Sequence, residues 1–217
     1  MTKLAEVIHA IYGASGCGRG VMPFVRTAPF VRGGRVVFVD DGAHPSVVNG
    51  HDCVDYQKFL TDAASRKRIV VAISDPHVRA RVAAKCVADG VEFFEARAEN
   101  VIVMDDVSIG EGAILSPFVT ITSNVRIGRH YHANLYSYVE HDCVIGDFVT
   151  FAPGVHCNGN VVIEDHVYVG AGAMIKQGKP GKPLVIGRGA VVGMGAVVTR
   201  DVPAGATVVG NPARAMR

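Results

Sequence analysis

A six-residue period in the second half of the chain constrains its fold more than any other feature. From residue 101 to residue 178 the sequence divides into thirteen hexapeptides, and the third position of each is apolar. With 49% hydrophobic residues in the chain, thirteen independent positions would all be apolar about once in ten thousand trials. These positions are Val103, Ile109, Leu115, Ile121, Ile127, Ala133, Val139, Ile145, Phe151, Cys157, Ile163, Val169 and Ile175. The period therefore marks a repeated structural unit.

Each hexapeptide has the properties of one short strand followed by a turn. Its first and third positions are apolar and flank an outward position, which is the period of a β-strand. Turn-tolerant residues such as Gly110, Gly128 and Gly146 follow. Three such strands make one triangular coil, and successive coils would pair in parallel at about 4.8 Å. We predict an all-β parallel β-helix over residues 101–217, with an inserted loop near 178–183 where the phase slips.

The first hundred residues lack this period and predict a separate α/β domain over residues 1–100. Apolar runs alternate there with helix-like stretches, which favours a small, Rossmann-like parallel sheet of about three strands. The runs lie at residues 5–12, 35–39 and 68–73.

Polar and glycine-rich turns follow the strands of this predicted sheet. Ligands of parallel sheets bind beyond the carboxyl ends of the strands, where Gly13, Gly16, Asp40 and Ser74 would converge. Glycine-rich turns let backbone N–H groups approach a phosphate at a helix N-terminus. A sheet of this size suits a single nucleotide diphosphate better than a dinucleotide. The alternative is a plain tight turn with no ligand.

The candidate catalytic residues recur at an interval of three hexapeptides. Ser123, His141 and Gly159 are each 18 residues apart, so they should stack on one edge of the β-helix. A histidine over a glycine places a potential base above open backbone, whose N–H could bind a thioester carbonyl. Asp142 could hold one imidazole nitrogen and fix the tautomer. The alternative is a solvated turn histidine.

Composition excludes several other classes of function. The formal net charge is only +2 and no Lys/Arg run occurs, so we expect no nucleic-acid partner. No apolar stretch approaches the ~18 residues of a membrane helix, and the N-terminus lacks the apolar core of a signal peptide. The chain has five cysteines without paired short spacing, which favours a reduced, cytoplasmic protein.

The sequence offers two further interpretations, a cysteine nucleophile and a histidine metal site, and it favours neither. Cys157 could be a nucleophile, but its inward repeat position predicts an inert core thiol. A metal site needs about three converging ligands. His130, His132 and His156 occupy different repeat positions, so we expect no metal and place these histidines against a neighbouring subunit or the substrate.

Residues 134–146, from Asn134 through His141 to Gly146, resemble the sugar-nucleotide N-acetyltransferases of the hexapeptide-repeat family. The glycine turn beginning at Gly13, the paired acids Asp40 and Asp41, and the C-terminal segment 209–214 are also similar to that family. The resemblance covers essentially the whole chain. It implies a left-handed β-helix, a homotrimer with active sites between β-helices, and acetyl-CoA as co-substrate. The expected acceptor is a nucleotide-linked 4-amino sugar such as GDP-perosamine.

The resemblance also implies roles for individual residues. His141 matches the general base of a direct transfer to the amine, Asp142 its orienting acid, where relatives carry glutamate, and Gly159 the amide that contacts the acetyl carbonyl. Asn134 matches a residue near the sugar amine. Residues that match the nucleotide site are Gly13, Ser15, Gly16 and Asp40, and residues that match the coenzyme A site are Gly159, Ala171, Met194 and Arg214.

Two alternatives remain open at this point. The same groove could perform O-acetylation of a sugar hydroxyl. The fold could also belong to a metal-dependent or non-catalytic β-helix protein, because the repeat by itself indicates fold rather than function. Thiol release from acetyl-CoA with an amino-sugar nucleotide would discriminate the transferases from the last class.

Overall fold

The structure, a computed structural model, describes residues 7–216. Its N-terminal part contains one sheet, three helices and a 3₁₀ turn. Their bounds are β1 Val7–Tyr12, α1 Gly16–Val25, the 3₁₀ turn Pro29–Val31, β2 Arg35–Val39, β3 Val47–Val48, β4 His51–Val54, α2 Tyr56–Leu60, β5 Arg66–Val71, α3 Pro76–Ala88 and β6 Glu92–Phe93. The strand order is β3-β4-β2-β1-β5-β6. All neighbours pair in parallel except β3 and β4.

The sheet is larger than the three strands expected from the apolar runs. Strands β4 and β6 extend it at its two sides, and both escaped prediction because they are short and contain charged residues such as Asp52 and Glu92. The central strand β1 alternates its side chains between two apolar clusters. Ile8 packs with the α2 and α3 side, and Ile11 with the α1 side, so helices cover both faces.

Helix α3 begins at a well-defined N-cap that also positions the loop before it. The Asp75 carboxylate accepts hydrogen bonds from the N–H groups of His77 and Val78 at 2.9 and 2.8 Å. Pro76 occupies the first helical position, where its missing N–H costs nothing. Ser74 is therefore held between the end of β5 and a fixed helix start. Within residues 7–216, no helix has the length and apolarity needed to cross a bilayer.

The C-terminal part is a parallel β-helix. Its strands are β7 Ala96–Arg97, β8 Ile102–Val103, β9 Val107–Ile109, β10 Ile114–Leu115, β11 Thr120–Ile121, β12 Val125–Ile127, β13 His132–Ala133, β14 Tyr138–Val139, β15 Val144–Ile145, β16 Thr150–Phe151, β17 His156–Cys157, β18 Val161–Ile163, β19 Tyr168–Val169, β20 Met174–Ile175, β21 Leu184–Ile186, β22 Val191–Val192, β23 Val197–Val198, β24 Thr207–Val209 and β25 Arg214–Ala215. Each coil contributes one strand to each of three sheets. Inward side chains such as Ile145, Phe151 and Val169 form one continuous core.

We name the three sheets of the β-helix in chain order. Sheet A contains β7, β10, β13, β16, β19, β22 and β24, with β25 added antiparallel; sheet B contains β8, β11, β14, β17, β20 and β23; sheet C contains β9, β12, β15, β18 and β21. The A/B edge includes residues 134–137, the B/C edge residues 140–143 and the C/A edge residues 146–149. Parallel pairing between successive coils already begins with β7 and β10, so the first coil starts before residue 101, where the predicted β-helix begins.

The interruption of the hexapeptide repeat lies at the B/C edge. Strands β15 and β18 pair Ile145 with Ile163, whereas β18 and β21 pair Ile163 with Ile186, five residues later than the repeat would place it. The extra residues form a loop closed by reciprocal backbone hydrogen bonds between Lys179 and Lys182. Because this insertion follows residue 163, it leaves the register of the earlier coils undisturbed.

Candidate active site

The B/C edge carries Ser123, His141 and Gly159 in three successive coils, as the 18-residue spacing predicts. Strands β14 and β17 pair Val139 with Cys157, so residue 141 lies one coil from residue 159. The Asp142 N–H donates to the Ser123 carbonyl at 3.2 Å, and the Asn160 N–H donates to the His141 carbonyl at 3.0 Å. The β-helix register therefore brings these three positions together.

The orientation of the His141 imidazole is fixed by Asp142. Its Nδ1–H donates to the Asp142 carboxylate at 2.8 Å, which leaves Nε2 as the unprotonated nitrogen of the neutral ring. This hydrogen bond raises the pKa of His141 above its ordinary value and lowers the pKa of Asp142. The His141 side chain is 56% exposed, so a substrate can reach it.

Asn124 supports this pair and was missed by the sequence analysis. Its side-chain amide donates to the other oxygen of Asp142 at 3.2 Å. Asn124, Asp142 and Asn160 occupy the same corner in consecutive coils with φ of 61°, 58° and 56°, a left-handed conformation that Asn and Asp tolerate well. The 18-residue register between Asn124 and Asp142 was the signal that could have found it.

Gly159 lies directly beneath the imidazole. A Cβ at this position would sit 2.6 Å from both Cε1 and Nε2 of His141, so only glycine leaves the ring in place. The Gly159 N–H has no acceptor within residues 7–216. Asn158 holds the preceding loop, because its side-chain amide donates to the Ile175 carbonyl at 2.7 Å. The arrangement presents a base and an unpaired backbone donor side by side.

The A/B edge carries a second set of predicted residues. Asn134 accepts the Leu135 N–H on its side-chain oxygen at 2.8 Å. Ala171 lies on this edge one coil beyond residues 152–155. Its carbonyl accepts the Gly195 N–H at 2.8 Å, and Met194, which precedes Gly195, is 80% exposed. Arg214 lies in the exposed terminal strand β25, where it pairs with Val209 of β24.

The glycine turn after β1 lies where the sequence predicts a phosphate site. Gly13 has φ of +108°, and its N–H donates to the Val39 carbonyl at 2.7 Å. The Asp40 carboxylate accepts the Ala14 N–H at 2.8 Å and the Gly42 N–H at 2.9 Å, which ties this turn to the loop after β2. Ser15 is the exposed N-cap of α1, and its hydroxyl makes no capping hydrogen bond.

A cleft of about 350 Å³ joins this turn to the β-helix. Gly16 and Ser74 contribute to its wall from the N-terminal sheet, and His132, Asn134 and Thr150 from sheet A and the A/B edge. Gly13 and Asp40 lie behind the turn rather than in the cleft lining. The predicted substrate residues Gly16, Ser74 and Asn134 are thus brought together.

One chain does not bring the two sets of predicted residues together. His141 and Gly159 lie on the B/C edge, whereas the cleft and the residues Ala171 and Met194 lie on the A/B edge. Strand β14 of sheet B separates Asn134 from His141. Gly159 is therefore remote from the other predicted coenzyme A residues of its own chain.

Comparison with known proteins identifies the family. Residues 142–177 match the profile of the family described as bacterial transferase hexapeptide (six repeats). The chain is also 50% identical, over 97% of its own length and 96% of the relative's, to GDP-perosamine N-acetyltransferase of Escherichia coli O157:H7. The chain belongs to the hexapeptide-repeat sugar-nucleotide N-acetyltransferases. The family expected from the sequence is confirmed.

Solved structures resemble this N-acetyltransferase along its whole length. It is similar to WeeI from Acinetobacter baumannii AYE, with a TM-score of 0.92, 51% identity, and coverage of 97% of this chain and 100% of that one. It is also similar to PerB from Caulobacter crescentus in complex with CoA and GDP-perosamine, with a TM-score of 0.85, 26% identity, and coverage of 99% of each chain.

The three histidines weighed as metal ligands and the cysteine weighed as a nucleophile have packing partners in this N-acetyltransferase. His132 and His130 face the N-terminal sheet, and His156 stacks on Tyr138 at 4.8 Å. Within residues 7–216 no group of three or more His, Cys, Asp or Glu residues has metal-site geometry. Cys157 is fully buried, and its contact with the Cys143 thiol together with this burial raises the pKa of the Cys157 thiol.

Proposed function

We propose that the enzyme transfers the acetyl group of acetyl-CoA to the amine of a nucleotide-linked 4-amino sugar similar to GDP-perosamine. The observation that carries the proposal is the placement of the His141 imidazole over Gly159, with Nδ1 bound to Asp142 at 2.8 Å. The name of the 50% identical relative and the CoA and GDP-perosamine bound to PerB support the two substrates.

The reaction is direct transfer with His141 as general base. An aliphatic amine is largely protonated at neutral pH, so it loses one proton to solvent before it can attack. As its nitrogen attacks the thioester carbonyl, His141 Nε2 accepts a second proton. The Gly159 N–H binds the carbonyl oxygen as it becomes negative. Collapse expels the coenzyme A thiolate, which takes the proton from the imidazolium and restores neutral His141.

The sugar nucleotide binds at the cleft. The unpaired N–H groups at the start of α1 suit its diphosphate, because a helix N-terminus attracts anions and this first turn contains no acidic residue. Ser15, the exposed N-cap of α1, belongs to the same turn. Gly13 and Asp40 hold the turn in shape, while Ser74 and Asn134 contact the sugar.

The separation of the two edges supports a homotrimer. The A/B edge of one subunit, with its cleft, Ala171 and Met194, would face the B/C edge of the next, with His141 and Gly159. Cyclic symmetry then builds three identical sites. Acetyl-CoA would lie between the two edges, with its phosphates within reach of Arg214.

The proposal extends to the handedness of the β-helix and to the division of the chain into domains. The β-helix is left-handed, and the chain divides into a Rossmann-like domain over residues 1–100 and a β-helix over 101–217, with its loop at 178–183. Full-length similarity to WeeI supports these assignments. All five cysteines are free thiols, which suits a cytoplasmic enzyme.

A panel of GDP- and UDP-linked amino sugars with acetyl-CoA tests the function. We expect thiol release with a 4-amino sugar, and an amide rather than an ester in the product by mass spectrometry. His141→Ala should lower kcat by about 10²-fold or more with little change in either KM. His51→Ala is the matched control, because His51 lies in β4 of the N-terminal sheet and belongs to neither edge of the β-helix. Near-parent activity of His141→Ala would contradict a general base.

A further inference from the structure

The β-helix face of sheet A binds the end of strand β5 through two side chains. The His132 Nε2–H donates to the Val71 carbonyl at 2.9 Å, and the Thr150 hydroxyl donates to the Ser74 carbonyl at 2.9 Å. Both donors are buried, with 5% and 4% exposure. Burial holds the pKa of His132 well below its ordinary value, so the ring is neutral and Nε2 carries its one proton.

Arg79 of helix α3 adds a buried cation to the same junction. Its side chain is fully buried, yet none of its hydrogen-bond partners is a carboxylate. Burial lowers the pKa of Arg79 to about 10, which still leaves it charged at neutral pH. Its partners are the carbonyls of Ile73 at 2.7 Å, Ser74 at 3.1 Å, His130 at 3.0 Å, Phe148 at 2.7 Å and Val149 at 3.3 Å, and the Thr150 hydroxyl at 3.0 Å.

These contacts converge on one wall of the cleft. The Ser74 carbonyl accepts from both Arg79 and Thr150, and the Thr150 hydroxyl in turn accepts from Arg79, so the three residues form a closed triangle. Ser74, Thr150 and His132 all line the cleft. The β-helix thus fixes the position of a loop that belongs to the N-terminal sheet.

We propose that Arg79 and Thr150 are positioning residues that hold Ser74 where it meets the sugar nucleotide. This inference rests on the proposed function for the identity of the ligand. A buried cation without an anionic partner is costly unless its donors are all bound in a fixed geometry. Here the acceptors lie in two parts of the chain, the loop after β5 and the β-helix, so the geometry of these hydrogen bonds sets the width of the cleft. Removal of one hydrogen-bonding group from the triangle lets the Ser74 loop shift, while the N-terminal sheet stays packed against sheet A.

Thr150→Val tests the triangle without changing side-chain size. Ser74 and Arg79 each keep another partner in this variant, so the fold is retained. We expect the KM for the amino-sugar nucleotide to rise about three- to tenfold, the size of one lost hydrogen bond. The KM for acetyl-CoA should stay near the parent value, and the melting temperature should fall by only a few degrees, because one buried hydroxyl is lost. Thr150→Ser, which restores the hydroxyl, should return the KM toward the parent value.

Thr207→Val is the matched control. Thr207 occupies the same outward position of sheet A as Thr150 does, and its hydroxyl has no partner within residues 7–216. A parent-like KM in Thr150→Val, or a lower melting temperature with both KM values unchanged, would overturn the positioning role. If the parent transfers no acetyl group, calorimetric binding of the GDP- and UDP-linked amino sugars to Thr150→Val and Thr150→Ser still decides the inference: equal affinity refutes it, and weaker binding by the valine variant alone supports it.

Discussion

Gly159→Ala is expected to displace the His141 imidazole while leaving the β-helix intact. The added Cβ would lie 2.6 Å from both Cε1 and Nε2, whereas ordinary contacts are 3.4 Å or longer. The ring must therefore retreat by about 1 Å, a displacement that costs about 10²-fold in rate at a catalytic centre. Gly159 does not have positive φ, so alanine adds no backbone strain, and the exposed ring can move without disturbing the core.

A double-mutant cycle isolates this effect. Thiol release from acetyl-CoA gives kcat for Gly159→Ala alone, His141→Ala alone and the two together. If the alanine acts by moving the ring, it should cost less than about threefold once the histidine is gone, because interacting positions are not additive. The melting temperature of Gly159→Ala should remain near the parent value. A full loss of about 10²-fold in the His141→Ala background would refute the reasoning and would mean that the alanine excludes the acetyl group itself.

Two further predictions concern the pH profile and the assembly. Asp142→Asn should move the acid limb of the kcat profile to lower pH, because the carboxylate raises the pKa of His141 and a base acts only when neutral; an unmoved limb would mean that another group titrates. His141→Ala and Asp40→Ala should each be weakly active alone. After subunit exchange between the two variants, the mixed oligomers should recover up to about a quarter of parent activity. Random mixing rebuilds one intact site in four, because each site combines residues of two neighbouring subunits. Absence of recovery would place the whole site within one chain.

The sequence predicted the placement of His141 over Gly159 because this contact depends only on local geometry. Parallel coils pair residues at a constant spacing, and the five-residue insertion falls after residue 163, beyond both positions. Asp142 follows directly in the chain, so its contact with His141 was predictable as well. The same register contained Asn124, which a search at 18-residue intervals would have found.

The N-terminal sheet was predicted less completely. Its central strands β1, β2 and β5 are apolar runs, so the pattern of burial is visible in the sequence. The flanking strands β4 and β6 are short and carry charged residues, and they become strands because a neighbouring strand offers its unpaired backbone groups. Such pairing leaves little trace in composition.

By itself, the sequence determined the repeat, the coil and the stack of residues on the B/C edge, because each depends on spacing along the chain. Only the tertiary structure decided that the N-terminal sheet lies against sheet A, where the cleft is a full sheet width from His141 of the same chain. It also decided the role of Arg79, which in the sequence is one charged residue among several in a helix. The carbonyls that bind it lie up to 70 residues away, and contacts of that range are set by packing rather than by local pattern.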